Sequence, residues 1–151
     1  MIITIDIANL KAIIEEEISR VADRSYSEDG TSLYDAIVKK SRDEGTVDRS
    51  IEESVSVVRS ACARFLDLSH KEEGKNIEFK FVLTDRRSLK KDVFYENLIR
   101  NALVHLVVSR YLNMAQQDEY AKKYDEIASL NIKMFVKELY GKMPPTRKED
   151  Q

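Results

Sequence analysis

Glycine, proline, cysteine and tryptophan are all scarce in this chain: four, two, one and none in 151 residues. Each shortage removes a class of structure. The glycines stand alone at 30, 45, 74 and 141, so neither a glycine-rich phosphate loop nor a dinucleotide fingerprint can be built. A single cysteine, Cys62, excludes an intrachain disulfide and a cysteine metal cluster, and it points to a reducing compartment. Few helix breakers favour long helices over a many-stranded sheet. No stretch approaches the roughly 18 apolar residues of a membrane span, so no membrane association is expected. Met1–Ile7 has neither the basic start nor the small-residue cleavage site of a secretory leader. The formal net charge of −2 lacks the basic excess of a dedicated nucleic-acid binder, although a local basic patch is compatible with it.

What is present is a globular balance: 42% hydrophobic and 34% charged residues, with a heavily charged surface. The length suits one domain whose core needs no covalent staples. A single helical domain is expected over 1–145, followed by a flexible polar tail at 146–151. No repeat, low-complexity run or linker divides the chain.

Hydrophobic spacing sets the expected elements. Ile7, Leu10, Ile14, Ile18 and Val21 recur at three- and four-residue steps, which predicts an amphipathic helix from about Asp6, as N-cap, to Asp23. Ser27, Asp29 and Gly30 follow as turn residues. Leu33, Ile37 and Val38 suggest a short second helix ending before Gly45. Thr46 is then a candidate N-cap for a long helix with a stripe of Val47, Ile51, Val55, Val58, Cys62, Phe65 and Leu66. At Ile77 the period changes to two: Ile77, Phe79, Phe81 and Leu83 alternate with Glu78, Lys80 and Val82, the pattern of a half-buried strand. From near Leu89 a helical period returns. Phe94, Leu98, Ala102, Leu106, Ser109 and Leu112 run along one face, widened by Ile99, Leu103 and Val107, which marks the central helix of the core. Gln116–Asp118 makes a break. A last helix places Tyr120, Tyr124, Ile127, Ile132, Phe135 and Leu139 mostly inward, with Gly141 as cap and Pro144–Pro145 as stop.

The expected fold is therefore mainly α, a helical bundle of about four to five helices with one β-strand or short hairpin. The strand raises a question, because buried backbone groups must be paired. Either Met1–Ile5, itself alternating, pairs with it, or a segment of another subunit does. A two-stranded ribbon still has open edges.

Chemistry-bearing residues are few. His70 falls in a polar connection and reads as a solvated loop residue. His105 would need a ligating partner one helical turn on, but those positions hold Val108 and Ser109. Cys62 on an apolar stripe reads as a small buried hydrophobe, without the base and electropositive setting of a nucleophile. Acidic runs such as Glu15–Glu17 and Glu72–Glu73 read as solvated faces. No catalytic residue, metal site or cofactor is expected, and the chain is not expected to be an enzyme. The densest basic cluster, Arg86, Arg87, Lys90 and Lys91, lies at the strand-to-helix junction bracketed by Asp85 and Asp92. It is the candidate contact for DNA phosphates or an acidic partner, of a non-specific kind. Smaller basic groups occur at Lys39, Lys40 and Arg42 and at Arg147 and Lys148. Tyr95, Tyr111, Tyr120, Tyr124 and Tyr140 suit either the edge of the core or an interface, where tyrosine is enriched.

Taken together, the segments Leu33-Tyr34-Asp35-Ala36-Ile37, Glu52-Glu53-Ser54 leading into the apolar stripe, Ile77–Leu83, Val107-Val108-Ser109-Arg110-Tyr111-Leu112 and Leu139–Arg147 form a pattern. The pattern resembles small structural proteins of tailed phages and prophages of Bacteroides-type bacteria. More distantly it is similar to the helical head-tail connector, or neck ring adaptor, proteins that form rings under a phage portal. The Ser60-Ala61-Cys62-Ala63 stretch fits the Ala-rich second helix of that group, while the strand is longer than is usual there. The resemblance implies a virion component made in the bacterial host cytoplasm, assembled as a homo-oligomeric ring that contacts the portal and other neck or tail proteins and borders the DNA channel. Its candidate oligomer interface comprises Ile77, Phe79, Phe81, Leu83 and Tyr140. A small DNA-binding or regulatory adaptor is the alternative.

Overall fold

A computed structural model of the chain describes residues 1–35, 44–67, 69, 76–82 and 92–140. Strand β1 (Ile2–Asp6) leads into helix α1 (Ile7–Asp23). Helix α2 (Glu44–Ala61) and a single 3-10 turn (Ala63–Phe65) precede strand β2 (Asn76–Lys80). Two long helices, α3 (Asp92–Met114) and α4 (Asp118–Tyr140), complete the order. The protein is a mainly helical bundle, with four helices and one two-stranded antiparallel sheet among the described residues.

Asp6 serves both of the first two elements. It ends β1 opposite Asn76, and its Oδ1 accepts the Asn9 N–H at 2.7 Å as the N-cap of α1. The cap satisfies one of the N–H groups that the first turn leaves open. The expected stripe is the buried one: Leu10, Ile14, Ile18 and Val21, joined by Ala22.

β1 and β2 pair with Ile3 opposite Phe79 and Ile5 opposite Ile77. The strand thus finds its partner within the chain, the first of the two alternatives. All four of these side chains are buried. β2 is shorter than the alternation suggested, because β1 runs out opposite Lys80. Beyond it the Phe81 N–H donates to the Met1 carbonyl at 2.7 Å. Leu83 lies outside the described residues. The second edge of β2 is covered too. Asp67 N–H donates to Lys80 O and Val82 N–H to Phe65 O, both at 2.8 Å, and the Lys80 ammonium meets Asp67 at 3.0 Å.

α2 begins at Glu44, so Thr46 lies inside the helix and is not its N-cap. Gly45 sits in the first turn, whose N–H groups make no intrahelical bonds, so it interrupts nothing. Val47, Ile51, Val55 and Val58 face inward, and Cys62 and Phe65 carry the buried stripe past the end of the helix. Of the expected short helix at Leu33–Val38, only Tyr34 and Asp35 are described, in helical conformation. The expected helix start at Leu89, the Gly141 cap, Pro144–Pro145 and the tail lie outside the described residues.

α3 is the central element, in contact with α1, α2, α4 and β1. Ile99, Leu103, Val107, Val108, Tyr111 and Leu112 are fully enclosed. Two details depart from the periodic expectation. Phe94 is largely exposed, and the neighbouring Tyr95 takes the core position instead, edge-on to Phe135 at 5.9 Å. On α4 the buried seam is Ala121, Ala128, Phe135 and Leu139, while Ile127 faces out. The physical reason is closeness. At Ala121 the Ser109 hydroxyl of α3 donates to the Ala121 carbonyl at 2.8 Å. A helix backbone within reach of its neighbour's side chain has room for a methyl group there and not for an isoleucine.

This seam is testable by paired substitution. Ala128→Leu should overpack it and cost about 1–3 kcal/mol, whereas Ile127→Ala should change stability by less than about 0.5 kcal/mol. Denaturant unfolding of both variants checks the pair. The opposite ranking would mean that α4 packs through Ile127.

Candidate interaction surface

The residue types most often used in chemistry are placed in structural roles. Cys62 is buried with no disulfide partner, and burial pushes its thiol up to about 12, far from a reactive thiolate. The His105 ring nitrogen Nδ1 bonds the Asn101 carbonyl at 2.6 Å, and the ring lies 5.4 Å from that of Tyr124. Among the described residues no group of three or more His, Cys, Asp or Glu is gathered closely enough to hold a metal. No helix in the described residues is long and apolar enough to cross a membrane.

The concave features are shallow. An open cleft of about 720 Å³ runs between α2 and α3, lined by Thr46, Arg49, Ser50, Glu53, Arg110 and Asn113. Of its two arginines, Arg110 is ion-paired with Glu53 across the two helices. A second cleft of about 530 Å³ adjoins it between α3 and α4, where Asp118, Lys122 and Asp125 form a polar rim.

The candidate interface residues divide. Ile77, Phe79 and Phe81 are buried in the chain's own core. Phe81 packs edge-on to Phe135 at 5.2 Å, and the Arg59 guanidinium covers the Phe79 ring at 5.7 Å. In this fold these three side chains offer no surface to another chain. The alternation that singled them out reports a strand lying on a core. Tyr140, by contrast, is half-exposed at the end of α4. Its ring stands edge-on to Phe65 at 5.0 Å, and its hydroxyl accepts from Arg64 Nη1 at 3.0 Å. Leu83 and the basic cluster Arg86, Arg87, Lys90 and Lys91 lie outside the described residues, as do His70, Lys39, Lys40, Arg42, Arg147 and Lys148.

The tyrosines divide as well. Tyr95 and Tyr111 are fully buried, and Tyr120 and Tyr124 lie at the core edge. The Tyr124 hydroxyl donates to Glu17 Oε2 of α1 at 3.0 Å, and Glu17 also accepts from Arg20 at 2.8 Å. Burial, reinforced by the Glu17 carboxylate, pushes the Tyr124 phenol up to about 12.

A row of exposed apolar side chains lies on α4. Ile127, Leu130 and Met134 are 43%, 59% and 50% exposed. Spaced by three and then four residues, they form a continuous stripe on the side of α4 opposite its buried seam. Scattered exposed hydrophobic residues are ordinary, whereas these three form one contiguous row on a single helix face. Sequence spacing contained this signal as a second apolar stripe half a turn from the first. Grouping Ile127 with the inward residues hid it.

Compared with known proteins, the chain matches no family model, no curated protein and no solved structure.

Two measurements check these placements. Cys62 should resist alkylation in the folded protein and react fully in denaturant; rapid labelling of the native chain would contradict its burial. Tyr124 should make the alkaline limb of stability steeper. An unfolded tyrosine loses its proton near pH 10, whereas Tyr124 in the fold holds its proton to about pH 12. The stabilisation is therefore complete below pH 10 and is lost as pH rises toward 12. Tyr124→Phe should lose stability less steeply across that window than the parent chain.

Proposed function

We propose that this protein is a structural assembly subunit that acts by packing against other protein chains. Following the resemblance of its sequence, we assign it more finely as a head-tail connector or neck ring subunit of a tailed phage. In that role it is one copy of a homo-oligomeric ring joining the portal to the tail. It is made in the host cytoplasm and incorporated into the virion.

The outer stripe of α4 is the observation that supports this most. The core is complete without Ile127, Leu130 and Met134, so their exposure contributes nothing to the fold of a lone chain. Repeated subunits that contact one another through complementary faces close into rings, and mixed-sign helix faces can border a DNA channel without gripping it.

The test is assembly. The purified chain should self-associate in light scattering, and when co-expressed with the portal protein of the same phage it should co-purify as a portal complex. A chain that stays monomeric, enters no portal complex and is missing from purified virions would end this assignment.

A further inference from the structure

We propose that the outer face of α4 binds a second copy of the same chain. The two α4 helices run antiparallel across a two-fold axis at Leu130, with Glu126 of each copy against Lys133 of the other.

The surface is self-complementary about that residue. In an antiparallel pair centred on Leu130, Leu130 meets Leu130, and Ile127 of one copy meets Met134 of the other, so the three exposed apolar side chains cover one another. Glu126 and Lys133 flank this stripe. They are seven residues apart and so lie on the same side of the helix. A two-fold axis brings like flanks of the two helices together, which puts Glu126 of one copy beside Lys133 of the other, twice over. Neither residue takes part in any ion pair among the described residues. In a parallel pair the two-fold runs along the helices and puts these flanks on opposite sides, so the reciprocal Glu126–Lys133 contacts form only in the antiparallel arrangement.

The ends of the same face limit the contact. Lys123 and Lys137, seven residues either side of Leu130, fall opposite one another across the axis. The Lys123 ammonium is drawn back over the Tyr120 ring at 5.5 Å. Like charges at both ends favour helices that cross at Leu130 and diverge, as packed helices commonly do. Such a contact is smaller than the roughly 800 Å² per partner of a standard stable interface, so the dimer is a weak one.

The proposal rests on the assembly assignment only in treating this face as a contact. A two-fold contact closes at two copies, unlike the head-to-tail contact that closes a ring, and the two can be separated by experiment. Sedimentation of the full chain over a roughly hundredfold concentration range should show a monomer–dimer equilibrium. Leu130→Glu should leave monomer only, with the melting curve unchanged because the position is exposed. Glu126→Lys should weaken the dimer about tenfold by reversing both ion pairs. The double variant Glu126→Lys/Lys133→Glu should restore it to within about threefold of the parent. A double variant no tighter than Glu126→Lys overturns the antiparallel pairing, and so does a parent chain that stays monomeric throughout. Oligomers larger than a dimer that survive Leu130→Glu overturn it as well, while leaving the assembly assignment standing.

Discussion

A helix can bring its backbone within bonding distance of a neighbouring helix only where its own side chains are small, and α4 does this at Ala121, with Ala128 buried on the same seam. The Ser109 hydroxyl reaching the Ala121 carbonyl at 2.8 Å fixes both the distance and the rotation of α4 against α3. From that rotation the rest of α4 follows. Phe135 and Leu139 are carried into the core, where Phe135 meets Tyr95 of α3 and Phe81 beyond β2 edge-on. Ile127, Leu130 and Met134 are carried outward by the same rotation. The interior packing of α4 and its outer apolar row are two consequences of one contact.

The remaining elements surround α3. α1 and α2 lie against other sides of it, held to each other at the surface by Lys11 and Asp48 at 2.6 Å. The two strands add a small flat face of Ile3, Ile5, Ile77 and Phe79 to the same core. Exposed ion pairs of this kind contribute at most about 1 kcal/mol each. The fold therefore depends on apolar burial around α3, with each fully buried large side chain contributing about 1.5–3 kcal/mol.

Legibility in the sequence varied with how many local signals agreed. α1 was readable nearly to the residue, because the Asp6 cap, the stripe and helix propensity coincide. α3 was recognisable as central because apolar residues occupy too much of its circumference for a single contact. The strand and its candidate partner at Met1–Ile5 were both visible, but the choice between an internal and an external partner depends on tertiary geometry that period alone does not encode. α4 was placed correctly in extent and largely in rotation, with Tyr120, Tyr124, Ile132, Phe135 and Leu139 on the core side and Ile127 the misplaced residue. Periodicity weighs residues by hydrophobic size, and close packing at Ala121 and Ala128 selects the smallest. The same rule misplaced Phe94 relative to Tyr95. For the candidate interface, alternation at Ile77, Phe79 and Phe81 identified residues that matter to the core, and of the described members of the set Tyr140 is at the surface.

The surface features differ in what they leave unsatisfied. In the cleft between α2 and α3, Arg110 is neutralised within the chain by Glu53. On α1, Arg20 is held between Glu16 and Glu17. The outer face of α4 is different in kind. Its apolar row has no cover, and its flanking charges Glu126 and Lys133 take no part in ion pairing within the described chain. Replacing Ile127, Leu130 and Met134 by polar residues would leave the seam at Ala121, Ala128, Phe135 and Leu139 intact, so stability of the lone chain gives no reason for their character. A surface whose composition the fold does not require, and which exposes hydrophobic side chains to water, is accounted for by a contact outside the chain. That is the physical content of the proposed assembly role, which rests on a helix flank.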